Sequence, residues 1–111
     1  MTFDYRLKKE KEFKLVFEKG KRLFSKSLTI IYFPAKELKA GFAVSKKHGG
    51  SVIRNRIKRL LRESFRSFTP TLRKNFFFVI IPKVKNESSF LTFYSELKQI
   101  FESNNFLEKE C

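Results

Sequence analysis

The chain has 111 residues, enough for one domain with a single modest core. Its hydrophobic fraction of 41%, with 16% aromatic residues, excludes intrinsic disorder. The formal net charge of +14 lies far above the magnitude of about 2 to 8 that is normal for a small domain, and it repels itself. We therefore expect a polyanionic partner, with nucleic acid as the first candidate and an anionic membrane surface as the second.

The N-terminal segment MTFDYRLKKEKEF lacks the apolar core of a signal peptide. No apolar run approaches the roughly 18 residues of a spanning helix. The only cysteine, Cys111, can form no disulfide within the chain, and we predict no role for it. These features favour the reducing cytoplasm as the location.

The first predicted element is a short amphipathic helix over residues 10–19. Phe13, Val16 and Phe17 have the i, i+3, i+4 spacing of one helix face, and Gly20 follows as the predicted C-cap. Two strands come next. The β-rich run 28–33 is stopped by Pro34, and a second strand covers 40–45.

The short connection between these strands predicts that they pair as a hairpin. A second helix should start after Gly49-Gly50, with Ser51 as its N-cap, and run to about Phe68, where Pro70 enforces the end. A third strand follows at residues 76–81, FFFVII. This run is apolar at every position, which predicts a strand buried on both faces.

The last helix should span residues 89–103, with an apolar stripe made of Phe90, Phe93, Leu97, Ile100 and Phe101. The element order is then αββαβα, an α+β fold in which helices cover a mixed sheet of four strands or fewer. We predict a single domain over residues 1–111, with residues 104–111 frayed at the C-terminus.

The second helix has two faces of opposite character. At 100° per residue, its apolar side chains form one core-facing arc. That arc contains Ile53, Ile57, Leu60, Leu61, Ser64, Phe65 and Phe68. Asn55, Arg59, Arg62 and Arg66 lie directly opposite, flanked by Arg54, Arg56 and Lys58. Residues 46–66 hold eight Lys or Arg against one Glu, a net charge of +7, and the like-charged neighbours destabilise the helix slightly.

This cationic face is suited to phosphate binding. The guanidinium group of Arg can grip a phosphate through two hydrogen bonds. Lys46, Lys47 and the Gly49-Gly50 turn precede the helix N-terminus, where free N–H groups also favour an anion. We therefore predict one extended phosphate-binding surface.

No catalytic constellation is visible. His48 is the only histidine, and it has neither a second histidine nor a carboxylate pair beside it, so we predict an exposed or phosphate-contacting residue. The sequence also contains no Cys/His cluster for zinc and no P-loop.

The segment AVSKKHGGSVIRNRIKRLLRESFR closely resembles the signature of the bacterial ribonuclease P protein component. The match includes the Arg54-Asn55-Arg56 core followed by Ile57-Lys58-Arg59-Leu60. The N-terminal RLKKEKEFKLVFEKGKR also resembles that family's opening. The resemblance covers roughly residues 5–101.

This resemblance implies a fold and a function. The fold is a two-layer α/β sandwich similar to domain 2 of ribosomal protein S5, with a left-handed βαβ crossover, rare because such connections are right-handed in about 98% of cases. The function is that of the protein subunit of ribonuclease P, an endonuclease that removes the 5′ leader of precursor tRNA. Catalysis and most of the Mg²⁺ ions belong to the RNA subunit.

The resemblance also implies two sets of site residues. The surface for the catalytic RNA comprises Lys46, Lys47, Arg54, Asn55, Arg56, Lys58, Arg59, Arg62 and Arg66. The cleft for the single-stranded leader comprises Arg6, Phe13, Lys14, Phe17, Ile31 and Tyr32. The ungapped register aligns Ile31 with a cleft tyrosine of the family and puts Tyr32 next to it. Partly exposed phenylalanines can stack on bases of any sequence, which suits a variable leader.

The expected partners are the catalytic RNA and precursor tRNA, without a membrane and without an obligate protein partner. Two alternatives stay open at this point. One is a non-enzymatic RNA-binding protein such as a ribosomal component. The other is a basic amphipathic helix on an anionic membrane, which the sheet-like apolar runs disfavour.

Overall fold

A computed structural model describes residues 6–84 and 89–108. It contains three α-helices, four strands and one short 3₁₀ turn within those residues. The helices are α1 (Glu10–Lys19), α2 (Ser51–Arg66) and α3 (Phe90–Ser103), and the strands are β1 (Lys21–Phe24), β2 (Leu28–Pro34), β3 (Lys39–Phe42) and β4 (Phe76–Pro82). The 3₁₀ turn (Lys46–His48) lies just before α2.

The four strands form one mixed sheet in the order β1-β2-β4-β3. Strand β2 is antiparallel to both β1 and β4, whereas β3 runs parallel to β4. The predicted hairpin between the second and third of these strands is therefore wrong, because β4 inserts between them. The hairpin that does form joins β1 to β2, and β1 is a strand that the sequence analysis missed.

The sheet is covered on both faces. Ile30, Phe78 and Ile80 pack in a large core with α2 and α3, while Ile31 and Val79 pack on the other face with Val16 of α1. Alternate residues of a strand point to opposite faces, so β4 is buried on both sides as predicted. The sheet and the α2–α3 pair form the two layers that were expected, and α1 lies against the opposite face.

Helix α2 deviates from the prediction at both ends. Gly50 occupies the N-cap position, where no side-chain hydrogen bond caps the helix. Ser51, the predicted N-cap, is instead the first helical residue. The helix ends at Arg66, one turn before Pro70. Ile53 was placed in the core-facing arc, but 51% of it is exposed, since the first turn of α2 extends beyond the sheet. From Ile57 onwards the predicted arc is buried at Ile57, Leu61, Ser64 and Phe65.

The segment after α3 is packed. Phe106 is buried, its carbonyl accepts a hydrogen bond from the Arg73 N–H at 2.7 Å, and Leu107 bridges to Leu72. The predicted fraying from residue 104 is therefore wrong as far as residue 108, because an aromatic side chain anchors the segment in the core. Residues 109–111, including Cys111, lie outside the described residues.

Strand β3, the 3₁₀ turn, α2 and β4 form a βαβ unit in which the two strands are parallel neighbours. The charged sequence of the 3₁₀ turn and α2 connects the two strands. One side of α2 therefore packs against the sheet, and its other side faces outward. The left-handed sense of this crossover stays a prediction.

Candidate RNA interface

The outward side of α2 is a continuous cationic surface, which we call the cationic ridge. Its members all project from one helix, and a shallow groove runs between several of them. The ridge consists of Arg54, Asn55, Arg56, Lys58, Arg59, Arg62 and Arg66. Among residues 6–84 and 89–108, no ion pair or side-chain hydrogen bond engages any of these seven side chains. Apart from Nε of Arg54, which is shielded from solvent, their hydrogen-bond donors therefore remain available for a ligand.

Glu63 is the one acidic residue of α2, and it also lies on this surface. It is spaced for i−4 pairing with Arg59 and i+3 pairing with Arg66, which would relieve repulsion between the basic residues. Within the part of the chain that the structure describes, it makes no salt bridge to either. The positive field of the ridge is thus not neutralised from within the helix.

The ridge continues into the turn that precedes α2. Lys46 and Lys47 are exposed there, and Gly49 has a φ of 134°, a backbone conformation that favours glycine. A Cβ on Gly50 would meet no atom within 4 Å, so its backbone faces open space. The free N–H groups at the start of α2 are consequently accessible.

Two ring or guanidinium nitrogens in this region lack a partner. Nε of Arg54 and Nε2 of His48 are shielded from solvent and form no hydrogen bond in the described structure. Nδ1 of His48 lies 3.3 Å from the carbonyl oxygen of Ser45, which orients the ring along the turn. His48 is therefore a turn residue with one nitrogen unused.

The second predicted surface lies beside α1. Val16 is fully buried and packs against Ile31 and Val79 at the middle of the helix–sheet contact. The Phe13 ring lies directly on β3, since a Cβ added to Gly41 would come within 2.4 Å of two of its ring atoms. Phe17, one turn later on the same flank, is 37% exposed. Both aromatic side chains thus retain partly open surface, as the leader cleft requires.

The two flanks of α1 differ. On the flank opposite Phe13 and Phe17, Glu12 forms an ion pair with Lys39 at 3.3 Å and ties the helix down to β3. Hydrogen bonds to Glu37 and then to Glu12 raise the pKa of Lys39, although its partial burial opposes the rise. Glu12 and Phe17 are about 140° apart around the helix axis and lie on either side of the buried Val16, so Phe17 overlooks the other half of the sheet face. That half of the face is the candidate for the predicted leader cleft.

Ile31 and Tyr32 do not line this cleft, so their assignment to it is wrong. Ile31 faces α1 but is fully buried beneath it. Tyr32 points to the opposite face of the sheet, where its ring lies 4.9 Å from Phe106 and 5.8 Å from Phe76. Adjacent residues of a strand face opposite sides of the sheet, so only one of these two neighbours can face α1. That residue is Ile31, which the helix covers, and Tyr32 is on the other face.

A small cavity joins the two surfaces. It has a volume of about 170 Å³ and lies at the edge of the sheet beside β3. Residues from both predicted sites line it, with Arg6 and Phe13 on one side and Lys58 and Arg62 on the other. Arg6 is held there because its segment bridges to Ala40. Lys14 is exposed on α1 nearby. The cationic ridge and the cleft are therefore continuous.

The described residues contain no cluster of three or more His, Cys, Asp or Glu side chains that could hold a metal ion. They accordingly do not fit a resident Mg²⁺ site. No helix in residues 6–84 and 89–108 is both long and apolar enough to span a membrane.

A small α+β protein with a cationic helix face that has no internal partners belongs to the class of polyanion-binding proteins. The family model described as Ribonuclease P matches residues 1–104. The chain therefore belongs to the ribonuclease P protein family, the protein component of a tRNA-processing ribonuclease.

Individual relatives agree with this assignment. A ribonuclease P protein component from Caldanaerobacter subterraneus subsp. tengcongensis is 36% identical over 108 residues, covering 95% of this chain and 93% of the relative. One from an Exiguobacterium species is 32% identical over 112 residues, covering 99% and 98%. The solved RNase P protein from Thermotoga maritima superposes with a TM-score of 0.78 at 28% identity, covering 88% of this chain and 96% of that one.

Sequence reasoning missed several residues that line or shape these surfaces. Gly41 seats the Phe13 ring, and Phe42 lines the small cavity. Phe24 is 66% exposed on β1, and Nζ of Lys83 lies beside its ring. A glycine inside an apolar strand can indicate close approach of another group, and this signal could have pointed to Gly41. Nothing local distinguishes Phe24 from a core phenylalanine.

Proposed function

We propose that the chain, as the protein subunit of ribonuclease P, binds the catalytic RNA through the cationic ridge and the single-stranded 5′ leader of precursor tRNA in the cleft beside α1. The observation that carries the first part is the set of Arg side chains on α2, which are exposed or half-buried and have no internal partners in the described residues. Arg groups left unpaired on a folded domain favour phosphate oxygens as ligands.

The second part rests on the partly exposed rings of Phe13 and Phe17. Base stacking on such rings is worth about 1–3 kcal/mol per base and does not depend on sequence. Lys14 and Arg6 supply positive charge beside these rings for the leader phosphates. The cavity between Phe13 and Arg62 supports a path on which the two RNAs meet.

In this proposal the chain contributes binding and not chemistry. Each phosphate neutralised by a Lys or Arg releases counterions and lowers the repulsion between the catalytic RNA and precursor tRNA. The Mg²⁺ ions of the holoenzyme would be held mainly by the RNA. We propose the bacterial cytoplasm as the location, with no membrane partner.

Reconstitution tests the proposal. The purified chain is mixed with its cognate catalytic RNA at low Mg²⁺, and precursor tRNA is followed by gel electrophoresis. Cleavage to a mature 5′ end that depends on both the chain and the RNA is expected. A chain that binds RNA but never promotes 5′ processing would favour the alternative, a non-enzymatic RNA-binding protein such as a ribosomal component.

A further inference from the structure

The open half of the sheet face continues beyond Phe17 to an exposed aromatic side chain on the edge strand β1. Phe24 pairs with Thr29, and Thr29 pairs with Ile81, so the three residues lie in one row across β1, β2 and β4. Alternation along the strands puts this row on the α1 face, since Ile81 packs against the Val16 cluster. Phe24 is 66% exposed at the end of the row.

A lysine is fixed beside this ring. Nζ of Lys83 lies 5.9 Å from the centroid of Phe24 and donates a hydrogen bond to the carbonyl oxygen of Ser25 at 2.6 Å. The backbone N–H of Lys83 donates to the carbonyl oxygen of Ser27 at 2.8 Å. Lys83 is thus fixed both at its backbone and at its ammonium group, and this keeps the cation beside the ring, as in a cation–π pair.

Arg22 adds to the positive charge. It lies two residues before Phe24, so it points to the same face of β1, and its side chain is exposed. An exposed aromatic ring with Lys83 beside it and Arg22 on the same strand face suits single-stranded RNA, in which each base is followed by a phosphate. Scattered exposed apolar residues are normal on proteins, but this one lies on the sheet face that α1 covers and beside an anchored cation.

We propose that Phe24 and Lys83 form a second stacking position, at which a leader nucleotide distal to those at Phe13 and Phe17 is bound. This inference rests on the proposed function, since it extends the same cleft. The sheet places the two positions at a fixed separation. The Phe13 ring lies over β3, and Phe24 belongs to β1. Three strand spacings of about 4.8 Å separate these two strands, a total of about 14 Å measured across the sheet.

The experiment uses the reconstituted holoenzyme and precursor tRNAs whose leaders lengthen one nucleotide at a time. We expect the affinity of the wild type to rise in two stages as the leader reaches first Phe17 and then Phe24. Phe24→Ala should remove the second stage alone, with a loss of at least about fivefold for long leaders and none for short ones. Phe24→Trp should retain the second stage.

The matched control is Leu91→Ala, which removes an apolar side chain that is 73% exposed on α3, in the layer on the opposite face. It should leave both stages intact. Lys83→Gln should flatten the salt dependence by about 0.7 in the log–log slope for long leaders only. A 2-aminopurine at the distal leader position should be quenched by the wild type and not by Phe24→Ala.

The outcomes separate this inference from the proposed function. If the affinity of the wild type does not depend on the leader at all, the leader cleft itself is wrong. If Phe17→Ala weakens binding of precursors with leaders but Phe24→Ala does not at any length, only the second stacking position is wrong. An equal loss by Phe24→Ala for mature tRNA and for every leader would also overturn it, because the effect would then not depend on the leader.

Discussion

Helices α2 and α3 lie side by side in one layer, and they differ only on the side that faces away from the sheet. Their inner sides are alike, since Phe65 and Phe101 are both fully buried and their rings meet edge to face at 6.0 Å. Outside, α2 carries six basic residues and one acidic residue, while α3 carries one basic and two acidic residues. The core thus determines one side of each helix, and our proposal assigns an RNA partner to the other side only in α2.

The largest expected effects come from the inner sides, where the two helices should behave alike. Phe65→Ala and Phe101→Ala each remove a ring from the centre of the aromatic core, and each should lower the free energy of unfolding by about 3–5 kcal/mol. Urea denaturation measures this directly. As a control, Arg59→Ala on the outer side of α2 should change it by less than about 0.5 kcal/mol.

A much smaller loss for either phenylalanine would show that the shared inner packing is not what holds the two helices. An unfolding free energy that falls by several kcal/mol in Arg59→Ala would show that the ridge is part of the core energetics, and the contrast between the two sides would fail.

A second prediction separates a core phenylalanine from a stacking one. Phe17 is partly exposed, so Phe17→Ala should lower stability less than Phe65→Ala. It should weaken binding of precursor tRNA to the holoenzyme by about 1–3 kcal/mol, because the loss is that of a stacked base, and leave mature tRNA unaffected. Equilibrium binding of the two tRNAs measures the difference.

Leu15→Ala provides the matched control for this test, since Leu15 is on the other flank of the same helix. It should not discriminate between precursor and mature tRNA. Equal losses for both tRNAs in Phe17→Ala would argue that Phe17 supports the fold and does not contact the leader.

The smallest effect concerns Glu96 of α3, an acidic residue whose carboxylate has internal partners. The Glu96 carboxylate accepts hydrogen bonds from the Ser25 hydroxyl and from the Ser27 N–H, the latter at 2.6 Å. Burial raises the pKa of Glu96, but these hydrogen bonds and the charge of Lys26 lower it on balance. The interaction ties the β1–β2 turn to α3.

A lowered pKa in the folded state means that Glu96 stabilises the protein above its unfolded-state pKa and that this stabilisation is lost as the pH falls through the folded-state pKa. Glu96→Gln should therefore be less stable than the wild type near neutral pH, and the difference should shrink on acidification. Thermal unfolding from about pH 6 down to about pH 3 checks this. A difference that stays constant over that range would contradict the role of the carboxylate charge.

The sequence was sufficient for those elements whose signal is local. The 3.6-residue spacing of Phe13, Val16 and Phe17 predicted α1 with its bounds, and the apolar run 76–81 predicted β4 as a central strand. The arrangement of the strands could not be obtained in this way. Contacts between residues that are distant in the chain bring β4 between β2 and β3. The prediction paired β2 with β3 instead, because the connection between these two strands is short.

The candidate site shows the same division. The cationic side of α2 follows from helical geometry alone, so its Arg residues were correctly separated from the buried arc beyond Ile57. The cleft depends on how α1 crosses the sheet, and this decides that Ile31 is covered while Phe24 is open. Strand β1 was missed because its KRLF sequence has three exposed residues and one half-buried residue, too few to show alternation.

The salt dependence of binding to the catalytic RNA tests the central claim most directly. The claim is that the unpaired Arg side chains of α2 contact RNA phosphates. The variant Arg59→Ala/Arg62→Ala should bind the catalytic RNA more weakly, and its log–log salt slope should be smaller in magnitude by about 1.4 to 1.8, two phosphate contacts at about 0.7 to 0.9 each. The α3 control Lys98→Ala should keep the slope of the wild type. An unchanged affinity and slope in the double variant would contradict the account.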